Sequence, residues 1–466
     1  MSPAGERLAP ATEVAERALA AAGAGDCVVV VHERSDADVR FANNTTTTNG
    51  LRRDRRVTVV RLVERDGGVA VGVASRSGGG DVADLVRAAE HDAAGAAPAE
   101  DASPLVGPAG EDASFAEEPA LTGMEVFSGL LEELGEAFGR ARSGGRVLAG
   151  FATHELATTY LATSTGIRRR HAQPTGSLEL VARSSDGSRS AWAGAGTPDF
   201  SDVSLASMEG RLAERLGWSK RRIELPAGRY ETILPPDAVA DLVIVLAEAA
   251  SGRDAEDGRS VFSAPGGGTR AGERLFDQPF TLWSDPAAPG LECSDFFVAE
   301  ASGADVSVFD NGAPIDPLRW VDGGRLERLR YHRAGAARSG AEFTPSADNL
   351  LLALPGAQAS LEELVRSTER GLLLTCLWYI REVDLATLLL TGLTRDGVFL
   401  VEHGEVVGAV NNFRFNESPV DVLARTIEAG RPERALSREW GEWMNRTTMP
   451  ALRVADFNMS SVSPAS

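Results

Sequence analysis

Cysteine is scarce in this sequence: Cys27, Cys293 and Cys376 stand far apart in 466 residues. They form no CxxC pair, which excludes a disulfide framework and a zinc site built from thiolate pairs. Histidine is nearly as rare, with six residues at positions 32, 91, 154, 171, 332 and 403. No two lie three to five apart, so HExxH, which needs imidazoles at i and i+4 of one helix, is excluded. Positive charge is in deficit, 47 Lys and Arg against 67 Asp and Glu for a net charge of −20. A free-standing nucleic-acid binder needs the opposite balance to neutralise phosphates. Long apolar runs are missing as well. Residues 238–250 are broken by Asp241 and Glu248, and 372–380 is shorter still; a membrane span takes about 18–20 apolar residues. Residues 1–7 have neither the basic start nor the apolar stretch of a secretory signal. A cytoplasmic protein is expected, with no membrane and no nucleic acid among its partners.

What is present is an ordinary globular balance, 43% hydrophobic and 24% charged, enough for two or three cores. Residues 10–22 read as an alanine-rich amphipathic helix. Residues 93–118, rich in Ala, Gly, Pro, Asp and Glu, have no periodicity and read as a linker. The expected organisation is an N-terminal α/β unit (1–95), a linker (96–118), a central α/β unit (119–225) and a C-terminal domain (226–466). The first two units share a pattern. Asn49-Gly50-Leu51-Arg52-Arg53 precedes a β-rich run and a turn at Asp66-Gly67-Gly68; Thr165-Gly166-Ile167-Arg168-Arg169 precedes another run and a turn at Asp186-Gly187. This predicts two copies of a strand–turn–strand unit, each beside helices. In the C-terminal part, Pro235-Pro236 opens a helix over 237–251, and Ser360 with Glu363 spells a capping box. Strands are expected at 280–283, 306–309 and 325–332, and again through 372–410 with turns at Gly392, Gly397 and Gly404. The fold class is α+β, with strand–turn–strand/helix units followed by a larger domain rich in antiparallel sheet.

Several residues invite a chemical reading. His154-Glu155 begins a zinc motif that Thr158 and Thr159 do not complete; a histidine on a strand beside a turn is the simpler reading. Gly258-Arg259-Ser260-Val261-Phe262 lacks the closing glycine of a nucleophile elbow. Cys376 lies among Leu, Thr and Trp, where a thiol is a small hydrophobe with a raised pKa. Gly266-Gly267-Gly268 has neither a preceding strand nor a following Lys-Ser/Thr, so a loop is expected there and no phosphate cradle. Arg168-Arg169-Arg170-His171 reads as a solvated edge strand.

The order of motifs resembles the TldD/PmbA (TldE) family of peptidase-related proteins. The residues that carry this are Arg229-Tyr230-Glu231-Thr232-Ile233-Leu234-Pro235-Pro236, Asp257-Gly258-Arg259-Ser260-Val261-Phe262 and the stretch 280–286. Glu369-Arg370-Gly371-Leu372-Leu373, residues 397–405 and Pro450-Ala451-Leu452-Arg453-Val454 continue it. As the resemblance implies, TldD-type members bind zinc through an HExxxH helix and a later cysteine and cleave unfolded peptides, while TldE/PmbA-type members lack the ligands and join a TldD partner. Here Ala247 and Gly252 stand where the two histidines would be, Glu248 keeps the general-base position, and the segment leading into Met449-Pro450 holds no cysteine. The resemblance therefore implies a chain with no catalytic residue, no metal ligand and no cofactor of its own. Its partners would be a TldD-type zinc peptidase subunit and an unfolded or modified peptide, with a homodimer when alone. A binding or maturation protein for modified peptides, without hydrolytic activity, is the alternative.

Overall fold

A computed structural model describes residues 8–463 except Asp66, Ala109 and Glu111. The stretch 1–7 and the first residue of the turn expected at Asp66 thus lie outside the described residues. In the first half, α1 (Ala11–Ala22), β1 (Cys27–Ala42), β2 (Thr45–Arg65), β3 (Gly68–Ser77) and α2 (Val82–Gly95) form one αβββα unit. A second unit repeats it with α3 (Ser128–Ser143), β4 (Arg146–Thr163), β5 (Arg168–Ser184), β6 (Ser190–Thr197) and α4 (Leu205–Trp218). The paired Gly-Leu/Ile-Arg-Arg motifs fall in β2 and at the start of β5, the second strand of each unit. The strands run in the order β3-β2-β1-β4-β5-β6, and β1 pairs antiparallel with β4 at the centre. Two units that are separate in sequence thus share one sheet.

Alternation assigns its faces. Cys27, Val29 and Val31 turn towards α1 and α2, and Ala37, Val39 and Phe41 towards α3. Val28 and Val30 point the other way and pack on Phe296, Val308 and Phe309 of the C-terminal half. Both faces of β1 are covered there, so Val28 to Val31 form a continuous apolar run in place of an alternating one.

The second half opens with β7 (Arg222–Ile223), β8 (Gly228–Leu234), α5 (Pro236–Glu248) and α6 (Gly252–Glu256). It continues with β9 (Thr281–Ser284), β10 (Leu318–Asp322), β11 (Arg325–Leu326), α7 (Arg333–Ser339), β12 (Leu350–Ala353) and α8 (Leu361–Arg366). Then come β13 (Arg370–Leu374), β14 (Leu377–Asp384), β15 (Leu389–Thr394), β16 (Val398–Glu402), β17 (Glu405–Val410) and β18 (Phe413–Glu417). The chain closes on α9 (Pro419–Ala424), β19 (Thr426–Ala435) and β20 (Thr447–Val462). Their strands form one branched mixed sheet whose path is β11-β10-β9-β12-β20-β8-β13-β16-β17-β7. Most neighbours are antiparallel; β12–β20, β13–β8 and β17–β7 are parallel. Helix α5 lies in the core with Ala238 to Leu246 all buried. Each Val, Ile or Leu so placed contributes about 1.5–3 kcal/mol. The capping box at Ser360 and Glu363 forms as expected.

Four local expectations are corrected. Residues 306–309 are not a strand; Val308–Asp310 is a 3-10 turn begun by the Ser307 hydroxyl. The strand expected over 325–332 stops at Leu326, and His332 caps α7 by accepting from the Gly335 amide. Gly392 lies inside β15, where a Cβ would come 2.4 Å from the Phe415 ring, so close packing and no turn explains it. His154 is in the middle of β4, away from any turn. The last two share a cause: long-range contacts determine what a glycine or histidine does, and local spacing does not carry them.

Candidate functional site

The residues that the resemblance singles out lie at the junction of α5 and α6. Ser251 caps α6 through a bond from the Asp254 amide, and the chain there bridges to Arg330. The Gly252 amide donates to the Arg330 carbonyl at 2.9 Å, and the Arg330 amide to the Ala250 carbonyl at 2.7 Å. The Arg330 side chain returns over the end of α5. Its Nη1 donates to Glu248 Oε1 at 3.1 Å, Nη2 to the Glu248 carbonyl at 2.6 Å, and Nε to Asp305 Oδ2 at 2.5 Å. The Glu248 carboxylate is therefore held in an ion pair, and the guanidinium also satisfies a carbonyl at the helix end.

Gly252 is buried, and the space beside it is taken. A Cβ there would lie 2.1 Å from Tyr331 Cζ and 2.4 Å from both Cε atoms. Tyr331 is held at both ends, by its hydroxyl donating to Glu256 Oε1 at 2.7 Å and by its main-chain amide donating to Thr344 Oγ1 at 2.8 Å. Burial, reinforced by Glu256, raises the phenol pKa, so Tyr331 acts as a donor. Tyr331 and Glu256 face a hollow of about 570 Å³ bounded also by Gly268, Thr269, Arg328 and Glu342.

Other residues noted in the sequence are occupied by packing or local bonds. Ser260 donates to the Ala249 carbonyl at 2.9 Å and accepts from the Phe262 amide, which pins the segment after α6. The imidazole of His154 lies between Thr122 Oγ1 and the Pro198 carbonyl, both at 2.7 Å. Since a carbonyl only accepts, Nε2 donates to it and Nδ1 accepts from Thr122; burial lowers the pKa of the ring. Glu155, next in sequence, points into a cleft of about 480 Å³ and pairs with Arg34; burial raises its pKa. The glycines from 266 to 268 form a loop with no helix after it. Residues 168–175 do form an edge, because β6 pairs with β5 only from Gly176 on. Their arginines are not simply solvated, however. Arg168 Nη2 donates to Glu16 at 2.9 Å, and Arg170 pairs with Glu117 and lies over the Tyr160 ring.

Sequence reasoning missed a buried polar network midway along α5. Asp241 accepts from the Ser437 hydroxyl at 2.5 Å and from the Glu439 amide at 3.0 Å. Burial pushes its carboxyl up to about 7. Next in the chain, Arg438 pairs with Asp396, reaches Cys376 Sγ at 2.6 Å, and lies over the Trp192 and Trp378 rings. Burial pushes the Cys376 thiol up to about 12 in spite of that guanidinium. The one signal was Asp241 itself, an acid inside an apolar helix face. The loop from 436 to 445 approaches closely because β6 is small there: a Cβ on Gly196 would lie 2.6 Å from the Asn445 carbonyl.

Comparison with known proteins gives this geometry a class. The profile of the PmbA/TldA metallopeptidase C-terminal domain matches residues 227–461, a little over half of the chain, so the class is metallopeptidase-related. The chain belongs to the PmbA/TldD family. Its fold is similar to that of TldE from Thermococcus kodakarensis, at 15% identity and a TM-score of 0.76, covering 93% of this chain and 96% of that one. It is also similar to a protein described as a modulator of a DNA gyrase from Thermotoga maritima, at 16% identity and a TM-score of 0.75, covering 96% and 99%. A protein so described from Bacteroides thetaiotaomicron gives 15% and 0.71, covering 97% and 98%. No match was found among curated proteins. No described helix is long and apolar enough to cross a membrane. Zinc does not fit the α5–α6 junction: Ala247 and Gly252 carry no donor atom, Glu248 is paired with Arg330, and Tyr331 fills the space beside residue 252. Among the described residues no three His, Cys, Asp or Glu side chains gather as a metal site.

Proposed function

We propose that this chain is a TldE/PmbA-like subunit without zinc, acting beside a TldD-type metallopeptidase that processes unfolded or modified peptides. The observation that carries the reading is the Tyr331 ring at Gly252. A missing ligand alone is one substitution away from being supplied, but here the neighbouring space is filled by the Tyr331 ring, whose hydroxyl is tied to Glu256 and whose main-chain amide is tied to Thr344. Glu248, in the general-base position, has an arginine where a base needs a water to deprotonate. The partner would carry the metal, the attacking water and the base. This chain would complete the chamber and help to admit the peptide, with edge strands pairing to its main chain. A cytoplasmic location accords with such a role.

Co-expression with an HExxxH-bearing relative from the same genome, followed by size-exclusion chromatography and a peptidase assay, tests this. Co-elution, with cleavage that depends on the relative's motif glutamate, is the expected result. Separate elution, or stoichiometric zinc bound to this chain alone, overturns it.

A further inference from the structure

Arg189 immediately precedes β6, and Arg222 opens β7. Acids outnumber Lys and Arg by 67 to 47 in this chain, so most cations have a carboxylate to meet. Among the described residues neither of these two arginines forms an ion pair, and both line one hollow of about 250 Å³. Asp186, the acid of the adjoining turn, is occupied by the hydroxyls of Ser184 and Ser188. The arginines bond instead to main-chain carbonyls, which orient a guanidinium without neutralising it. Arg189 Nη1 donates to the Leu216 carbonyl at 2.8 Å, and Arg222 Nη2 to the Ser188 carbonyl at 2.7 Å. The second bond sets Arg222 on the peptide group that leads into Arg189. A guanidinium has five N–H groups, and one carbonyl leaves most of them for another acceptor. Lys220 and Arg221, exposed and next to Arg222 in the chain, add to the positive potential.

The lining also holds a donor without an acceptor. Asn411 Oδ1 accepts from the Leu225 amide at 2.8 Å, which fixes the orientation of the carboxamide. Its Nδ2 is buried and has no partner among the described residues, a state that a bound acceptor would relieve. Two carboxylates line the hollow as well. Asp396 is already neutralised by Arg438 and accepts from the Ser190 hydroxyl, and Glu224 is exposed. Ile223, Val398, Phe399, Ala409 and Val410 give the hollow an apolar floor. A bare ion would leave that floor uncovered, whereas an organic body would cover it.

We infer that this hollow binds a small organic anion, its phosphate or carboxylate head held by Arg189 and Arg222 and its body on the apolar floor. Arginine suits either head, because its planar fork meets two oxygens at once. The head also offers Asn411 the acceptor it lacks. Residues 188–190 belong to the central unit and residues 396–411 to the C-terminal half, so the ligand ties the two together. The site shares no residue with the α5–α6 junction, and it stands whether or not the subunit role does.

The test uses the full-length chain, with glycerol 3-phosphate and succinate as probes and sodium chloride at equal ionic strength as the control. In isothermal titration at least one probe should bind at a single site, and at one hundred times its Kd it should raise the Tm by about 3–6 °C. Arg189→Gln and Arg222→Gln remove the charge and keep a donor for each carbonyl. Each should weaken binding about tenfold or more, the effect of losing a charge-assisted bond. Arg52→Gln, at an exposed position of β2, should leave it unchanged. Phenylglyoxal labelling of the unaltered chain, read by peptide mapping, needs no variant to fold. Probe at ten times its Kd should slow labelling of Arg189 and Arg222 about tenfold and leave Arg52 as before. Binding of glycerol 3-phosphate alone assigns a phosphate head, and of succinate alone a carboxylate; binding of both assigns a site that reads paired oxygens. Neither heat nor a rise in Tm beyond chloride with either probe overturns the inference. Folded glutamine variants that bind like the original overturn it too, as does labelling of the two arginines that the probe leaves unchanged.

Discussion

Gly252→Ala adds one methyl group where the structure has no room for it. The new Cβ would sit 2.1 Å from Tyr331 Cζ, well inside carbon–carbon contact at about 3.5–4.0 Å. If backbone and ring give way together, overpacking costs about 1–3 kcal/mol. If the ring swings out, it forfeits the bond to Glu256 at 2.7 Å; such a bond to a charged acceptor contributes about 1.5–3 kcal/mol. Alanine returns about 0.5–1 kcal/mol because it loses less freedom on folding than glycine. The net loss is about 1.5 kcal/mol, which lowers the Tm of a unit of this size by about 3–6 °C. Thermal and urea unfolding of the purified chain would measure it. A double-mutant cycle with Tyr331→Ala should show coupling of at least about 1 kcal/mol, because the second substitution empties the space that the first one needs. A Gly252→Ala chain as stable as the original, or a cycle without coupling, would refute the idea that Tyr331 has closed this position.

Glu248→Gln should leave peptide cleavage by the assembled complex nearly unchanged, because Arg330 already holds the carboxylate; general-base loss typically costs about 10²–10⁴-fold, so a hundredfold drop with the complex intact would mean that this subunit does chemistry. Cys376, with its thiol pushed up to about 12, should resist thiol reagents in the folded chain near pH 8, where about one molecule in ten thousand is thiolate; prompt labelling in a chain whose other cysteines are replaced would contradict this. Asp241 titrates near 7 when folded and at an ordinary carboxylate value when unfolded. An acid whose pKa rises on folding stabilises below the unfolded value and loses that contribution as pH climbs through the folded one, so stability should fall between about pH 4 and 7 by up to about 4 kcal/mol. Asp241→Asn should flatten that slope in urea titrations at several pH values, and an unchanged slope would assign it elsewhere, with Asp237 next in line.

Much of the architecture was legible from local rules. The capping box at Ser360, the proline-opened α5 and the paired Gly-Leu/Ile-Arg-Arg units all rest on chemistry within a few residues, and all three appear. The junction at Ala247, Glu248 and Gly252 was legible only as missing donor atoms. That Arg330 neutralises the glutamate and Tyr331 fills the glycine's space depends on a segment about eighty positions away in sequence, joined to it by main-chain bonds. The strand misread over residues 306–309 fails for a similar reason. Val308 and Phe309 are apolar because they cover Val28 and Val30 of β1, and that duty requires burial without requiring a strand.

The sequence by itself determined the class of fold, the two N-terminal units, the apolar helix of the C-terminal half and the lack of any donor atom in the side chains of Ala247 and Gly252. Periodicity, caps and residue chemistry act over a turn of helix or a pair of strands, and they can be read without a partner. Tertiary structure decided that the two units fuse through β1 and β4 into a single sheet, that Asp241 and Arg438 build a buried network, and that Arg189, Arg222 and Asn411 come to line one hollow. Each of these depends on which distant segment arrives to cover a face, fill a space or pair an amide, and no local pattern carries that information.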